Sequence, residues 1–291
     1  MDAQWIRDLA PGQVFVDYGP VSMVVSAWEE DIPRTDLCRE AFSAVRDVLE
    51  EIASQQTILK RYPLAIAPGS LKGAPEVMWK AVLRTEEPTL TPMAAVAGTV
   101  ADFVADWIAA RGATKVIVNN GGDIALRLKP DARVRMGIIA DLSRRDVEWI
   151  LELSGRDPVG GVATSGLGGR SFTRGVASAV TVLAGTCAEA DALATHLANI
   201  SRIPSERVHT CLAGDLDPQS DISDLDVVTG VDALSEGEVG QALSQIRREA
   251  ERYLACGRLV AVFGCVQSRN VWVPEDFFAA RLISGGVQDG C

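Results

Sequence analysis

The sequence predicts a mixed α/β body with mixed sheets and two long helices. Three observations carry this. Residues 36–59 and 234–256 place apolar side chains at spacings of three and four, the pattern of amphipathic helices that pack one face on a core. Short β-branched runs bounded by Gly, Pro and Asn lie between them and read as strands. Hydrophobic residues make up 47% of the chain and aromatics only 5%, which suits small side chains packed tightly against sheet. No segment rich in Pro, Gly and Ser divides the chain, so residues 1–291 are expected to form one domain.

In chain order, residues 13–17 and 21–28 form a hairpin around Tyr18-Gly19-Pro20. Residues 36–59 form a long helix with Leu37, Ala41, Val45, Val48, Leu49 and Ile52 on its apolar face, capped by Thr35 or Asp36. Pro63, Pro68, Pro75 and Pro88 then break the chain, leaving one short helix over 76–83 and an ordinary loop at Lys72-Gly73. Residues 91–99 are nearly all small and lead into a helix over 100–111. Such a stretch admits a ligand or a second helix at close range, and the sequence favours neither. Strands follow at 113–118, 124–128 and 134–139, then a short helix at 144–153. The carboxylate-dense stretch 214–226, with Asp215, Asp217, Asp221, Asp224 and Asp226, lacks the glycine and terminal glutamate of an EF-hand and reads as a solvated connection. Residues 234–256 carry Val239, Leu243, Ile246, Ala250 and Leu254 on one helical face. A hairpin of 259–266 and 270–273 closes the fold, and 284–291 are expected to fray.

A formal net charge of −11 argues against a nucleic-acid surface, which needs clustered Lys and Arg. A local site for a phosphate-bearing small molecule remains compatible with it. The opening MDAQWIRDLAPGQ has no basic segment followed by an apolar core, and no run of about 18 apolar residues occurs. A cytoplasmic protein without a membrane span is therefore expected. Cys38, Cys187, Cys211, Cys256, Cys265 and Cys291 form no CxxC pair, and there are only two histidines. That predicts reduced thiols and no zinc site.

The stretch 161–199 organises the rest. It begins with a small-residue turn, Thr164-Ser165-Gly166 running to Gly168-Gly169-Arg170. The β-branched run 177–183 follows, and then a helix opens at Thr186, with Glu189 completing a capping-box pattern. On that helix Asp191 and Thr195 are four residues apart and share a face. A carboxylate and a hydroxyl so placed can hold a hard cation and the phosphates it neutralises. On spacing alone the simpler reading is that Asp191 sits exposed in the first turn, favoured by the helix dipole, while Thr195 packs. Upstream, Asn119-Asn120-Gly121-Gly122-Asp123 is either a tight turn or a source of backbone N–H donors, with Asn120 and Asp123 as polar ends.

Taken together, GTVAD at Gly98–Asp102, VNNGGDIAL, ATSG and SAVTVLAGTCAEADALAT resemble the ApbE family of FAD:protein FMN transferases, in an uncharacterised branch. The resemblance covers residues 93–199, about a third of the chain. It implies an ApbE-like, T-fold-like body that binds FAD or FMN and Mg²⁺ and moves FMN onto a threonine of a flavoprotein acceptor, or hydrolyses FAD. It implies Asp191 and Thr195 as metal ligands, joined by a backbone carbonyl in residues 95–97. It places Gly98, Asp102, Asn120, Gly121, Gly122, Asp123, Thr164, Ser165 and Gly166 around the flavin nucleotide. It assigns no catalytic residue and leaves open whether the chain is a homo-oligomer.

The sequence departs from that pattern. The family's usual lysine is Ala97 here, its His-Ile-x-x-Pro segment is absent, and residues 172–177 occupy that place. Binding with weakened transfer is the expected result, because lost donors cost transition-state stabilisation more than ground-state binding. The alternatives are a non-catalytic flavin or nucleotide binder and an enzyme for another small anionic metabolite.

Overall fold

The computed structural model describes residues 4–143 and 147–283. Its N-terminal strands are β1 (Ile6–Ala10), β2 (Gln13–Tyr18), β3 (Val21–Glu29) and the short β4 (Ile32–Pro33). Alternation fixes the register of the β2–β3 hairpin, since Val14, Val16, Val21, Met23, Val25 and Ala27 all turn inward. The edge strand β1 is missing from the sequence reading, because a short, mostly exposed strand carries no apolar alternation.

The region 36–59 is helical but not continuous. It divides into α1 (Thr35–Glu40), α2 (Phe42–Ser54) and α3 (Gln56–Leu59), with breaks at Ala41 and Gln55. Neither expected cap is used. Thr35 Oγ1 accepts the Gly12 N–H at 2.8 Å, and Asp36 pairs with Arg34. Next come α4 (Ala74–Leu83), with Pro75 in its first turn, and α5 (Val96–Ala109), entered through a 3₁₀ turn at Pro92–Ala95. The span Pro92–Ala109 is long and apolar enough to cross a membrane by length and composition alone. Here Val100, Ala101, Val104, Ala105 and Ile108 are buried in the core.

The middle of the chain gives β5 (Lys115–Asn120), β6 (Asp123–Leu128), β7 (Arg133–Ile139), β8 (Val147–Ser154), β9 (Gly161–Ser165) and β10 (Ala179–Ala184). The helix expected over 144–153 is overturned, since its described part is β8, paired with β7. Trp149, Leu151 and Leu153 recur at period two in β8, and Leu151 and Leu153 are buried. Helix α6 (Cys187–Asn199) follows, then β11 (Val208–Leu212), the single-turn α7 (Ala213–Leu216) and β12 (Asp226–Val231). The long helix α8 (Glu236–Ala255) starts at a reciprocal Ser235–Glu238 capping box. The chain continues through β13 (Ala261–Val266), β14 (Arg269–Val273), α9 (Glu275–Ala279) and β15 (Leu282–Ile283). The expected frayed terminus, 284–291, lies outside the described residues.

The main sheet runs β1-β2-β3-β5-β6-β9-β10-β13-β14, with β4 beside β3. Its strand pairs are antiparallel. One junction is short: β6 meets β9 through only Ile124↔Val162 and Ala125↔Gly161, whereas β5–β6 and β9–β10 pair along their lengths. On one face, α2, α4 and α5 cover the N-terminal strands while α6 and α8 cover β10, β13 and β14. The opposite face of β10 and β13 packs on the sheet β15-β8-β7 through Leu183, Phe263, Leu151 and Leu153. Covered on both sides, β10 and β13 are buried along their whole length, which is why they read as nearly continuous apolar runs, broken in β10 by Thr181.

Candidate functional site

Helices α5 and α6 cross at their N-terminal ends, and each supplies a carboxylate to the other. Asp191 of α6 accepts the Gly98 N–H at 2.9 Å, and Asp102 of α5 accepts the Ala188 N–H at 2.9 Å. Each thereby satisfies an orphan donor in the first turn of its neighbour. The crossing needs glycine at position 98, since a Cβ there would lie 2.3 Å from the Cys187 carbonyl oxygen. The Thr186 hydroxyl accepts the Glu189 N–H at 3.2 Å, but the Glu189 carboxylate leaves to pair with Arg84. Only half of the expected capping box forms.

This crossing forms part of the wall of a cavity of 1320 Å³. Asp191, Thr195 and Asn199 line it as one stripe along α6. Asp123 lines it from the start of β6, and Thr164, Ser165 and Thr181 line it from β9 and β10. Thr164 and Thr181 share a hydroxyl–hydroxyl bond of 2.8 Å. An apolar part of the wall includes Phe15, Val24, Ile117, Met136 and Ile138.

Burial pushes the Asp191 carboxyl up to about 7, against the opposing pull of the Gly98 and Ala97 N–H groups. Burial raises Asp123 well above the usual carboxylate range, the negative charge of Asp191 adds to this, and Arg170 opposes it. Two half-buried carboxylates thus line one cavity, and among the described residues neither has an ion-pair partner, an arrangement that would suit a hard divalent cation. Among the described residues no cluster of three or more His, Cys, Asp and Glu side chains stands ready for a metal. Any cation here would complete its shell from hydroxyl, carbonyl, water or ligand oxygens.

The sign of the pH dependence follows. The ordinary aspartate value is 3.8, so between there and about 7 the folded Asp191 keeps a proton that the unfolded chain has lost. Folding therefore loses stability as pH rises through that window. A bound cation displaces the same proton, so its affinity rises with pH. Were Mg²⁺ the cation, it would raise the melting temperature more at about pH 8 than at about pH 5.5. An equal shift at both would contradict a carboxylate-held cation.

The structure separates the sequence-predicted residues into two groups. Asn120, Gly121, Gly122, Asp123, Thr164, Ser165, Asp191 and Thr195 line the cavity. Gly98, Asp102 and Gly166 are not among the residues that line it. Asp102 is bound to Ala188 and to the Arg127 guanidinium at 3.0 Å, so it positions α6 from behind the cavity wall. Gly166 has φ +148, and a Cβ there would meet the Ser178 carbonyl oxygen at 2.8 Å. The Gly121-Gly122 pair closes a two-residue hairpin with φ +71 and +117, conformations that favour glycine. Its backbone is not a free donor set, because Gly122 N–H donates to Asn119 Oδ1 at 2.9 Å. Asn120 Nδ2 donates to the Ala97 carbonyl at 3.1 Å, which partly occupies one expected ligand oxygen.

The carboxylate-dense stretch is not simply a solvated connection. Asp217 and Asp221 line the cavity, Asp221 accepts a bond from Thr91, and Lys60 Nζ donates to the Gln219 carbonyl at 2.6 Å. These contacts strap residues 217–222 to the N-terminal half. Arg170, Arg174 and Asn199 also line the cavity but are absent from the sequence reading as site residues. The Gly168-Gly169 pair beside Arg170 is a turn signal that could have drawn attention to both arginines.

A concave cavity that joins Asp191 at the helix crossing and Asp123 at the start of β6 to an apolar wall has the character of an organic-ligand site. The chain belongs to the family described as AbpE bacteria, whose model matches residues 3–272. It is 34% identical over 188 residues to a UPF0280 protein of Methanococcoides burtonii, covering 64% of this chain and 76% of that protein. A UPF0280 protein of Methanosphaerula palustris is 33% identical over 180 residues, covering 62% and 74%. The fold is similar to that of the flavin transferase ApbE from Vibrio cholerae, at TM-score 0.52, 13% identity and coverage of 92% and 98%. It is also similar to the apo flavinyl transferase ApbE of Pseudomonas stutzeri, at TM-score 0.50, 15% identity and coverage of 94% and 99%.

Proposed function

We propose that the cavity binds a flavin nucleotide, FAD in the first instance, together with Mg²⁺, and that any turnover is slow FMN transfer or FAD hydrolysis. The observation that carries this reading is the joining of the Asp123–Asp191 pair to an apolar wall inside one cavity. A planar ring system suits the apolar side and a diphosphate suits the carboxylate side. Asp191 and the Thr195 hydroxyl would hold the cation, with Asp123 adding negative charge beside it. A magnesium ion bound there would neutralise phosphate charge as it develops during transfer to an acceptor threonine. Gly98 fixes the Asp191 carboxylate through its N–H, and Asp102 fixes the helix that carries it. Family membership and the likeness of fold support the flavin assignment.

Weak turnover follows from what the wall lacks. Ala97 lines the cavity with a methyl group, and residues 172–177 contain no histidine to move a proton. Each missing donor or general base commonly costs about 10²–10³-fold in rate. Fluorescence titration with FAD, with and without Mg²⁺, is expected to show magnesium-dependent binding. Incubation with a threonine-bearing flavoprotein acceptor is expected to give little covalent flavin by in-gel fluorescence. Rapid labelling would overturn the weak-transfer reading, and no FAD binding would overturn the flavin reading.

A further inference from the structure

The cavity holds positive charge that the reading above leaves unused. Arg170 and Arg174 come from the loop between β9 and β10, and both line the cavity. Among the described residues neither has a carboxylate at ion-pair distance, whereas Arg135, which also lines it, is bound to Glu152. Arg174 is held by its surroundings. Its backbone N–H donates to Asn199 Oδ1 at 2.9 Å, and Nη1 donates to the Thr89 hydroxyl at 3.0 Å. Its Nε is buried and has no hydrogen-bond partner. Burial closes that Nε off from the cavity, so a ligand oxyanion would meet the rest of the guanidinium, which Thr89 holds at the cavity wall. Arg170 is exposed, and its head lies against the Gly121 turn, where an added Cβ would stand 2.6 Å from Nη1. That turn ends at Asp123, so Arg170 and the Asp123 carboxylate belong to one stretch of the cavity wall.

We infer that Arg170 and Arg174 form an oxyanion grip that makes the cavity select ligands carrying a diphosphate over uncharged ring compounds. Guanidinium groups suit this task because their fork of N–H donors matches phosphate oxygens in paired bonds. A diphosphate also explains why guanidinium groups and a carboxylate pair share one cavity. Its charge is gripped directly on one side and neutralised through a cation on the other. The inference rests on the cavity being a nucleotide site but does not need the ring to be a flavin.

The test is calorimetric titration with inorganic pyrophosphate, ADP and riboflavin, each with Mg²⁺, on the parent chain and on Arg170→Ala, Arg174→Gln and the double variant. The parent is expected to bind pyrophosphate and ADP. Each single variant is expected to weaken both by about tenfold, and the double variant by about a hundredfold, with riboflavin affinity unchanged. Arg170→Lys is expected to recover part of the loss, because it restores charge but not the fork. Thermal melting shows that each variant is folded, and the exposed Arg170 keeps the test informative if Arg174→Gln is destabilised. Unchanged pyrophosphate and ADP affinity in Arg170→Ala and the double variant would overturn the grip, as would a parent that binds riboflavin but neither anion. A parent that binds pyrophosphate and ADP with the expected losses, yet neither riboflavin nor FAD, would support the grip and remove the flavin reading alone.

Discussion

Asp191→Asn is expected to weaken magnesium-dependent FAD binding by about a hundredfold or more while leaving the fold intact. Removing one partner from a desolvated charge interaction commonly costs about 2–5 kcal/mol. Here the missing charge is the one that would hold the cation, and Asp123 alone cannot replace it. Asparagine is the informative substitution because its side-chain oxygen can still accept the Gly98 N–H, as Asp191 does at 2.9 Å. Asp191→Ala also removes that cap and carries a further cost of about 1 kcal/mol, which mixes folding with binding. The measurement is FAD titration at fixed Mg²⁺ beside a thermal melt. An Asp191→Asn protein that binds FAD and Mg²⁺ like the parent would remove Asp191 from the site.

Gly98→Ala is expected to be the more damaging change to folding, though it adds a single methyl group. The new Cβ would lie 2.3 Å from the Cys187 carbonyl oxygen and 2.9 Å from Asp191 Cβ. The first neighbour is backbone at the start of α6, so it yields only if the helices separate. Forced overpacking commonly costs about 1–3 kcal/mol, and a clash with backbone belongs at the upper end. For a chain of this size that lowers the melting temperature by about 3–5 °C. Gly240→Ala is the control, because that glycine lies within α8 with open space around it. There alanine should stabilise by about 0.5–1 kcal/mol through helix propensity. Circular dichroism melts of the three proteins decide the matter. If Gly98→Ala melts with the parent, α5 and α6 are not held as closely as the geometry requires.

The contrast shows which parts of the molecule the sequence makes legible. Strands buried on one or both faces announce themselves, so β2, β3, β5, β10 and β13 follow from alternation or nearly continuous apolar runs. Exposed edges do not, so β1, β11 and β12 are found only when their partners are in place. β8 fails for a different reason: the charged residues before it continue a helical-looking pattern, while its alternation is short. The small-residue stretch before Asp102 shows how far spacing can carry a site. Spacing shows that something must approach closely, and only the packing of α6 shows that the approach is made by a helix. Asp102 and Asp191 are alike as sequence signals, yet one is turned into the wall and the other lines the cavity. Arg174 is invisible to periodicity, because its place depends on Thr89 and Asn199, both far away in the chain.

The short junction between β6 and β9 gives the carboxylate pair a mechanical meaning. The backbone ladder there is reduced to two residue pairs, so little of the cohesion between the two flanks of the sheet comes from strand pairing. Asp123 belongs to the flank that ends in β6, and Asp191 rides on a helix packed over β9 and β10. A cation accepted by both carboxylates would therefore act as a rivet across this short strand junction, beside the α5–α6 clasp. Binding a cation there and fastening the two flanks would then be a single equilibrium, read as slower hydrogen exchange at the β6–β9 junction when the cation is added.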